Sequence, residues 1–349
     1  MIVVKILLDG MGGDYAPDEI VKGAVKAASE IEDTIAILGP EEKIKECLDN
    51  YKWTGDNIEI VNATEVISNE EHPAMAVRKK KDSTIVRGMN MLKNGEADIF
   101  ISGGSTGALL AGGLTILGRI KGIKRPAIAA WFPRSANKGV TLLLDCGASV
   151  EAKPEYLLQY GIMGDIFVRG LTGKIAPTVR LLNVGAEEGK GDELHKQGFE
   201  LLKNSYLNFC GNVEARDVVV GETDVVVMDG FSGNVYLKSS EGMANAILSL
   251  FKNKLTEGIR AKIGAMLAYS KIKDIKGTFD YSDAGGAPIL GLKGAVLKVH
   301  GNSRSVEVYY AIHRAVDYVK SDITGKIEDA ILKIKEEEEA KSSEEESNE

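Results

Sequence analysis

The chain is 349 residues long with 44% hydrophobic residues, enough for one large or two moderate buried cores. Its formal net charge of −8 resides almost wholly in Glu336–Glu349, EEEEAKSSEEESNE, where eight glutamates face one lysine; the rest is close to neutral, which argues against the basic surface of a nucleic-acid binder. No apolar run approaches the ~18 to 20 residues of a membrane span and no basic N-terminal region precedes a small-residue cleavage site, so a protein neither exported nor membrane-spanning is expected.

Apolar, β-branched runs alternate with helical patterns along the chain: IVVKILL, TIAILG, IEIVNA, ADIFISGG, PAIAAWF, VTLLLDCGA, VRLLNVG, LNFCGN, TDVVVMDG and AVLKVHG. Such alternation predicts α/β layers around a largely parallel sheet. Small or polar residues follow most of these runs: Asp9 and Gly10, Ser102–Gly104, Asp145–Gly147, Asn183–Gly185, Gly211 and Asn212, Asp229 and Gly230, and His300 and Gly301. In an open parallel sheet ligands bind beyond the carboxyl ends of the strands, so these residues are expected to share a rim. A single catalytic domain over 1–335 is expected, with a subdomain boundary near 169–177 (RGLTGKIAP) and a disordered acidic tail over 336–349.

Absent motifs narrow what the rim binds. The chain has no G-x-G-x-x-G dinucleotide fingerprint, GAEEGKG at 185–191 is one residue short of a P-loop, and no G-x-S-x-G elbow occurs. The histidines His72, His195, His300 and His313 lack metal-ligand spacing and read as surface or structural, with catalysis and structure left equally open for His300 beside Gly301. The cysteines Cys47, Cys146 and Cys210 are odd in number and far apart, which predicts no disulfide, no zinc and a reducing compartment. What is present suits an anion. DGMGGDYAP offers Gly12, Gly13 and Asp14; VRKKKDST offers Lys80 and Lys81; SGGSTGALLAGG offers Ser102, Gly104, Ser105 and Thr106 before a helix; Lys190 lies between two glycines. Bare backbone N–H groups and cations are the chemistry that holds phosphate.

These blocks, in this order, resemble the bacterial phosphate acyltransferase (PlsX) family from about Ile6 to about Val319. LLLDCGASVEAKPEYL, NFCGNVEARD, DVVVMDGFSGNVYLKSSEG and YSDAGGAPILGLKGAVLKVHGNS carry the likeness with the loops above. It departs in two places: Gly10 stands where alanine is common, and SGGSTG where SAGNTG is common, so Ser105 lacks a side-chain amide. The resemblance implies a Rossmann-like three-layer sandwich related to phosphotransacetylase and isocitrate dehydrogenase-like folds. It implies transfer of an acyl group from acyl carrier protein to inorganic phosphate, giving acyl phosphate for phospholipid synthesis, with no cofactor or metal. The implied partners are a second copy in a homodimer and a downstream membrane acyltransferase. Two alternatives stay open: a phosphotransacetylase or butyryltransferase acting on acyl-coenzyme A, and a non-catalytic membrane scaffold.

In such a transfer phosphate is the nucleophile, so positioning and charge stabilisation do most of the work. Lys190 and the Asn183 side, with Asn212 beside them, are expected to hold phosphate. Asn234 donates to the oxyanion, and Asp229 and His300 orient donors or move a proton. No cysteine is needed as an acyl carrier. A last feature lies over 247–276. Ile247, Phe251, Leu255, Ile259, Ile263 and Leu267 recur every fourth residue as one continuous apolar stripe, flanked by cations including Lys252 and Lys254. A helix packed into the core or a dimer interface is one reading. The other, which family behaviour supports, is an amphipathic projection bent near Gly258 and Gly264 that meets an anionic membrane or the acidic carrier. The expected location is cytoplasmic, at the inner face of the membrane.

Overall fold

The computed structural model describes residues 3–135, 139–271 and 285–348. The apolar runs form strands, and the amphipathic stretches between them form helices. The first elements are β1 (Lys5–Asp9), α1 (Asp18–Ala28), β2 (Thr34–Gly39), α2 (Glu41–Asn50), β3 (Ile58–Asn62), α3 (Pro73–Lys79), α4 (Thr84–Lys93), β4 (Ile99–Ser102) and α5 (Thr106–Gly112). A π-helical turn, Gly113–Leu117, leads to β5 (Ala127–Pro133), β6 (Val140–Leu144), α6 (Pro154–Thr172), β7 (Val179–Asn183), α7 (Glu193–Lys203), β8 (Phe209–Glu214) and α8 (Ala215–Val218). The chain continues with β9 (Val225–Val227), α9 (Gly230–Thr256), α10 (Ile259–Leu267), β10 (Ala287–Leu290), β11 (Ala295–Lys298), α11 (Ser305–Lys320) and α12 (Ile323–Asn348).

Two compact units result: Met1–Ala129 with Ile162–Ala176 and Ser282–Glu349, and Ala130–Gly161 with Pro177–Tyr281. Both β5 and α6 run from one unit into the other, so no linker composition marks the division. One crossing, Ala176 to Pro177, falls within 169–177.

In the first unit the strands run β3-β2-β1-β4-β11-β10, and β10 pairs with Ala127 and Ile128 of β5. All are parallel except β10, which is antiparallel to both neighbours. Ile6, Leu7, Leu8, Ile35, Ile37, Ile99 and Phe100 are buried, the continuous apolar pattern of parallel strands covered on both faces. Lys298 pairs in register with Ser102, and Asp9 ends β1 beside them, so three strands deliver polar side chains at their carboxyl ends. In the second unit β6-β9-β7-β8 are all parallel, with Leu142–Leu144 and Val225–Val227 buried.

Of the 27 residues of α9 only Gly230 and Gly233 are buried, and α10 has no buried residue. The apolar stripe expected to be continuous is broken: α9 stops at Thr256 and α10 restarts at Ile259, with Gly258 at φ +87 between them. Glycine reaches this left-handed conformation without steric cost, so it ends one helix before the next begins. Gly264, also expected at a bend, lies inside α10. Residues 272–276 of the expected projection lie outside the described residues. The backbone of the acidic stretch expected to be disordered continues α12; glutamate, alanine and lysine are strong helix formers, and Ile323, Ile327 and Ile331 anchor the helix in the core. Among the described residues no helix is long and apolar enough to cross a membrane.

Candidate functional site

At the strand ends of the first unit, Asp9 is buried and its carboxylate accepts from Ser102 Oγ at 2.6 Å and from the Met11 N–H at 3.1 Å. Ser102 Oγ in turn accepts from the Gly104 N–H at 3.0 Å. Burial pushes the Asp9 carboxyl above the usual carboxylate range, against the hydrogen bonds of Ser102, Thr84 and Met11 and the charge of Lys298. Lys298 Nζ donates to the Gly103 carbonyl at 3.1 Å and to that of Val299. The glycines here are obligatory. A Cβ on Gly12 would lie 2.4 Å from Asp9 Oδ2 and 2.6 Å from Gly104 N, and one on Gly103 would lie 2.6 Å from the Gly12 carbonyl oxygen. The Asp14 N–H donates to the Gly301 carbonyl at 2.6 Å. The loops after β1, β4 and β11 therefore meet, with Gly12, Gly13, Asp14, Ser102, Gly104 and His300 among their residues.

Other expected members of that group have other tasks. Lys80 pairs with Glu71 at 2.7 Å and donates to the Val66 carbonyl at 2.7 Å; the ammonium pulls the Glu71 carboxyl below its usual range. The ion pair thus closes the loop before α3, while Lys81 is exposed just past that helix. Ser105 is the N-cap of α5, accepting from the Ala108 N–H at 3.4 Å, and Thr106 is the first residue of that helix.

The second unit assembles a different group. Asn183 Nδ2 donates to the Lys190 carbonyl at 3.1 Å and to Asn212 Oδ1 at 3.2 Å, while its Oδ1 accepts from the Val184 N–H at 2.8 Å. Asn212, 2% exposed, donates to the Glu187 carbonyl at 2.8 Å. Both amides therefore brace the 184–191 loop rather than reach outward. That loop presents Lys190 to solvent, and among the described residues its ammonium enters no ion pair or hydrogen bond. Asp229 caps α9, accepting from the Phe231 and Ser232 N–H groups at 3.1 and 3.0 Å. One turn on, exposed Asn234 lies over Gly147, whose φ is +119; a Cβ there would sit 3.3 Å from the Asn234 side chain.

The buried carboxylate of Asp145 accepts from the Gly147, Ala148 and Ser149 N–H groups at 2.9 to 3.1 Å and so shapes the loop under Asn234. Next to it, burial and the Asp145 charge push the Cys146 thiol well up, which disfavours the thiolate a covalent acyl carrier needs.

Sequence reasoning missed two residues of these groups. Lys298 closes an apolar strand run, and a cation in that position was the available signal. His195, read as surface or structural, places Nδ1 2.6 Å from Asp192 Oδ1 and Nε2 3.9 Å from Asp229 Oδ2, joining the caps of α7 and α9. The His195 side chain and backbone N–H hold the Asp192 carboxyl below its usual range. Nothing in the sequence marks that link. Among the described residues no cluster of histidine, cysteine, aspartate or glutamate is suited to a metal ion.

Comparison with known proteins places this geometry in context. A family model described as "Fatty acid synthesis protein" matches residues 4–326. A phosphate acyltransferase of Clostridioides difficile (strain 630) is 44% identical over 334 residues, spanning 96% of this chain and 98% of that relative. One of Clostridium acetobutylicum is 46% identical over 92% of this chain and 97% of its own length. Among solved structures, a phosphotransacetylase from Streptococcus pyogenes aligns with a TM-score of 0.62 at 19% identity, covering 91% of this chain and 94% of that one. The EutD phosphotransacetylase from Staphylococcus aureus gives 0.59 at 16% identity, covering 91% and 93%. These structures share the fold.

Proposed function

Since the chain belongs to the fatty acid synthesis protein family and, with its phosphate acyltransferase relatives, is an acyltransferase that uses phosphate as acceptor, we propose that its donor is the fatty acyl thioester of acyl carrier protein. A phosphate oxygen attacks the thioester carbonyl, the tetrahedral oxyanion collapses, and the C–S bond breaks as the C–O bond of acyl phosphate is complete. The proton given up by phosphate ends on the departing thiol. Acyl phosphate then feeds a membrane acyltransferase of phospholipid synthesis. The observation that carries this reading is the braced 184–191 loop, which fixes the backbone of Lys190 while leaving its ammonium free for an incoming anion. Lys190 holds phosphate, with Asn183 and Asn212 positioning its loop. Asn234 donates to the oxyanion from the first turns of α9, and Asp229 orients that turn. No step calls for a cofactor. Purified protein incubated with hexadecanoyl thioesters of acyl carrier protein or of coenzyme A, with and without phosphate, tests the proposal by hydroxylamine trapping. Trapped acyl phosphate is expected from the carrier thioester only when phosphate is present; turnover with coenzyme A alone overturns the choice of donor.

The exposure of α9 and α10 favours a further part of the same reading. Ile259 and Leu267 are each 79% exposed and Phe251 59%, with Lys252 and Lys254 alongside. This apolar and basic segment, Leu255 and Ile263 included, brings a cytoplasmic homodimer to an anionic membrane surface. In liposome flotation, Leu255→Glu with Ile259→Glu is expected to abolish binding. A variant that instead splits a dimer in sedimentation identifies the segment as the subunit interface.

A further inference from the structure

Beside α9 in the second unit lies a cavity of about 720 Å³. Its walls come from the end of β5 (Phe132, Pro133), from α8 and the residue after it, and from one side of α9 between Tyr236 and Phe251. Apart from the Tyr236 hydroxyl, its polar side chains are Arg216, Ser239 and Ser240; the remainder of the lining is apolar or small, and the Phe132 and Tyr236 rings meet with centroids 5.3 Å apart. The volume falls within the ~300–1,000 Å³ of small-molecule pockets.

Resting on the acyltransferase reading above, we infer that this cavity holds the hydrocarbon chain of the acyl group, from its place in the thioester donor to its place in acyl phosphate. Three observations converge. The cavity begins at Tyr236, two residues beyond Asn234 and about 3 Å further along the axis of the same helix. From Tyr236 to Phe251 the helix advances fifteen residues, roughly 22 Å at its ~1.5 Å rise. A single membrane acyl chain reaches about half the ~30 Å hydrocarbon core, so the wall is long enough for one. The lining carries no carboxylate, and a methylene chain asks for apolar area and little else. Ile247 and Phe251 lie at the distal end and set how long a chain fits; the flexible thioether of Met243, near the middle of the wall, suits chains of several lengths.

Two measurements decide the matter. A sixteen-carbon alkyl phosphonate with a diazirine at its far end, photolysed with the whole protein and mapped by mass spectrometry, is expected to label Met243, Ile247 or Phe251 and to be displaced by the unlabelled phosphonate. Labelling confined to other segments overturns the inference. Ala244→Phe narrows the cavity midway along its length. It is expected to lower the ratio of kcat/KM for sixteen-carbon over four-carbon donors by at least ~10-fold, since pocket fit is worth about 10-fold or more per methylene. An unchanged ratio in a folded variant overturns the inference, and should that variant fail to fold, the labelling decides alone. Labelling needs no turnover: a protein that labels in the cavity yet transfers nothing to phosphate loses the proposed function and keeps the chain site.

Discussion

The loops that end β1, β4 and β11 and those that end β6, β7 and β9 both place polar side chains past parallel strands, yet they use them differently. In the first unit Asp9 and Ser102 bind each other and Lys298 binds backbone carbonyls, under glycines too close-packed to accept a Cβ. In the second, Asn183, Asn212, Asp145 and Asp229 are turned onto the backbone, while Lys190 and Asn234 remain exposed. Acids and amides that finish strands are scaffold here, and the groups left exposed are those the scaffold carries outward. A burial cost explains the division: a carboxylate taken out of water must gather donors, and those donors are then spent.

The comparison breaks first if the exposed pair proves idle. Lys190→Ala and Asn234→Ala are each expected to lower kcat/KM by at least ~100-fold, the usual consequence of losing one oxyanion donor, with melting temperature unchanged. Cys146→Ala serves as the contrast and should alter turnover far less than either. Next comes the packed group: Gly12→Ala drives a methyl into Asp9 and Gly104 and should lower the unfolding free energy by ~1–3 kcal/mol in urea titration, the range for overpacking. Wild-type stability there would mean the loops of the first unit are loose. The smallest effect concerns Asp82, which the Thr64 hydroxyl and Arg87 hold at about 2. Its folded value lies below the unfolded ~3.9, so the stability it adds is present above pH ~4 and lost as pH falls toward 2. Asp82→Asn should flatten that part of the unfolding curve and leave neutral turnover intact.

Much of the fold was legible because each buried parallel strand is a compact β-branched run: TIAILG is β2 to the residue, six other runs contain a whole strand, and three more cover all but the last residue or two of one. The strand β10 escaped notice. APIL is four residues long, contains a proline and has one β-branched side chain, so only its two antiparallel partners make it a strand. Of the site, the glycine-bare loops could be read because glycine is itself a statement about backbone and space. The contacts that sort exposed groups from braces could not. Asp9 meets Ser102 from 93 positions away and Asn183 meets Asn212 from 29, while Lys80, in a lysine run that looked free, is committed to Glu71. Side-chain type announces what a group is able to bind, and only tertiary pairing decides whether that capacity is already used.

The insertion of β11 between β4 and β10 has a consequence for synthesis. Ile99 of β4 pairs with Ala295 of β11, so at the ~5–20 residues per second of translation the edge of β4 waits roughly 10–40 s for its neighbour to be made. Throughout that interval the nascent first unit presents IFIS as an unpaired hydrophobic edge, a ready template for the wrong strand. The burden of reaching the native state therefore falls on whatever shields that edge during elongation, and slowing the ribosome between β4 and β11 should cost yield of folded protein without altering the activity of the molecules that complete it.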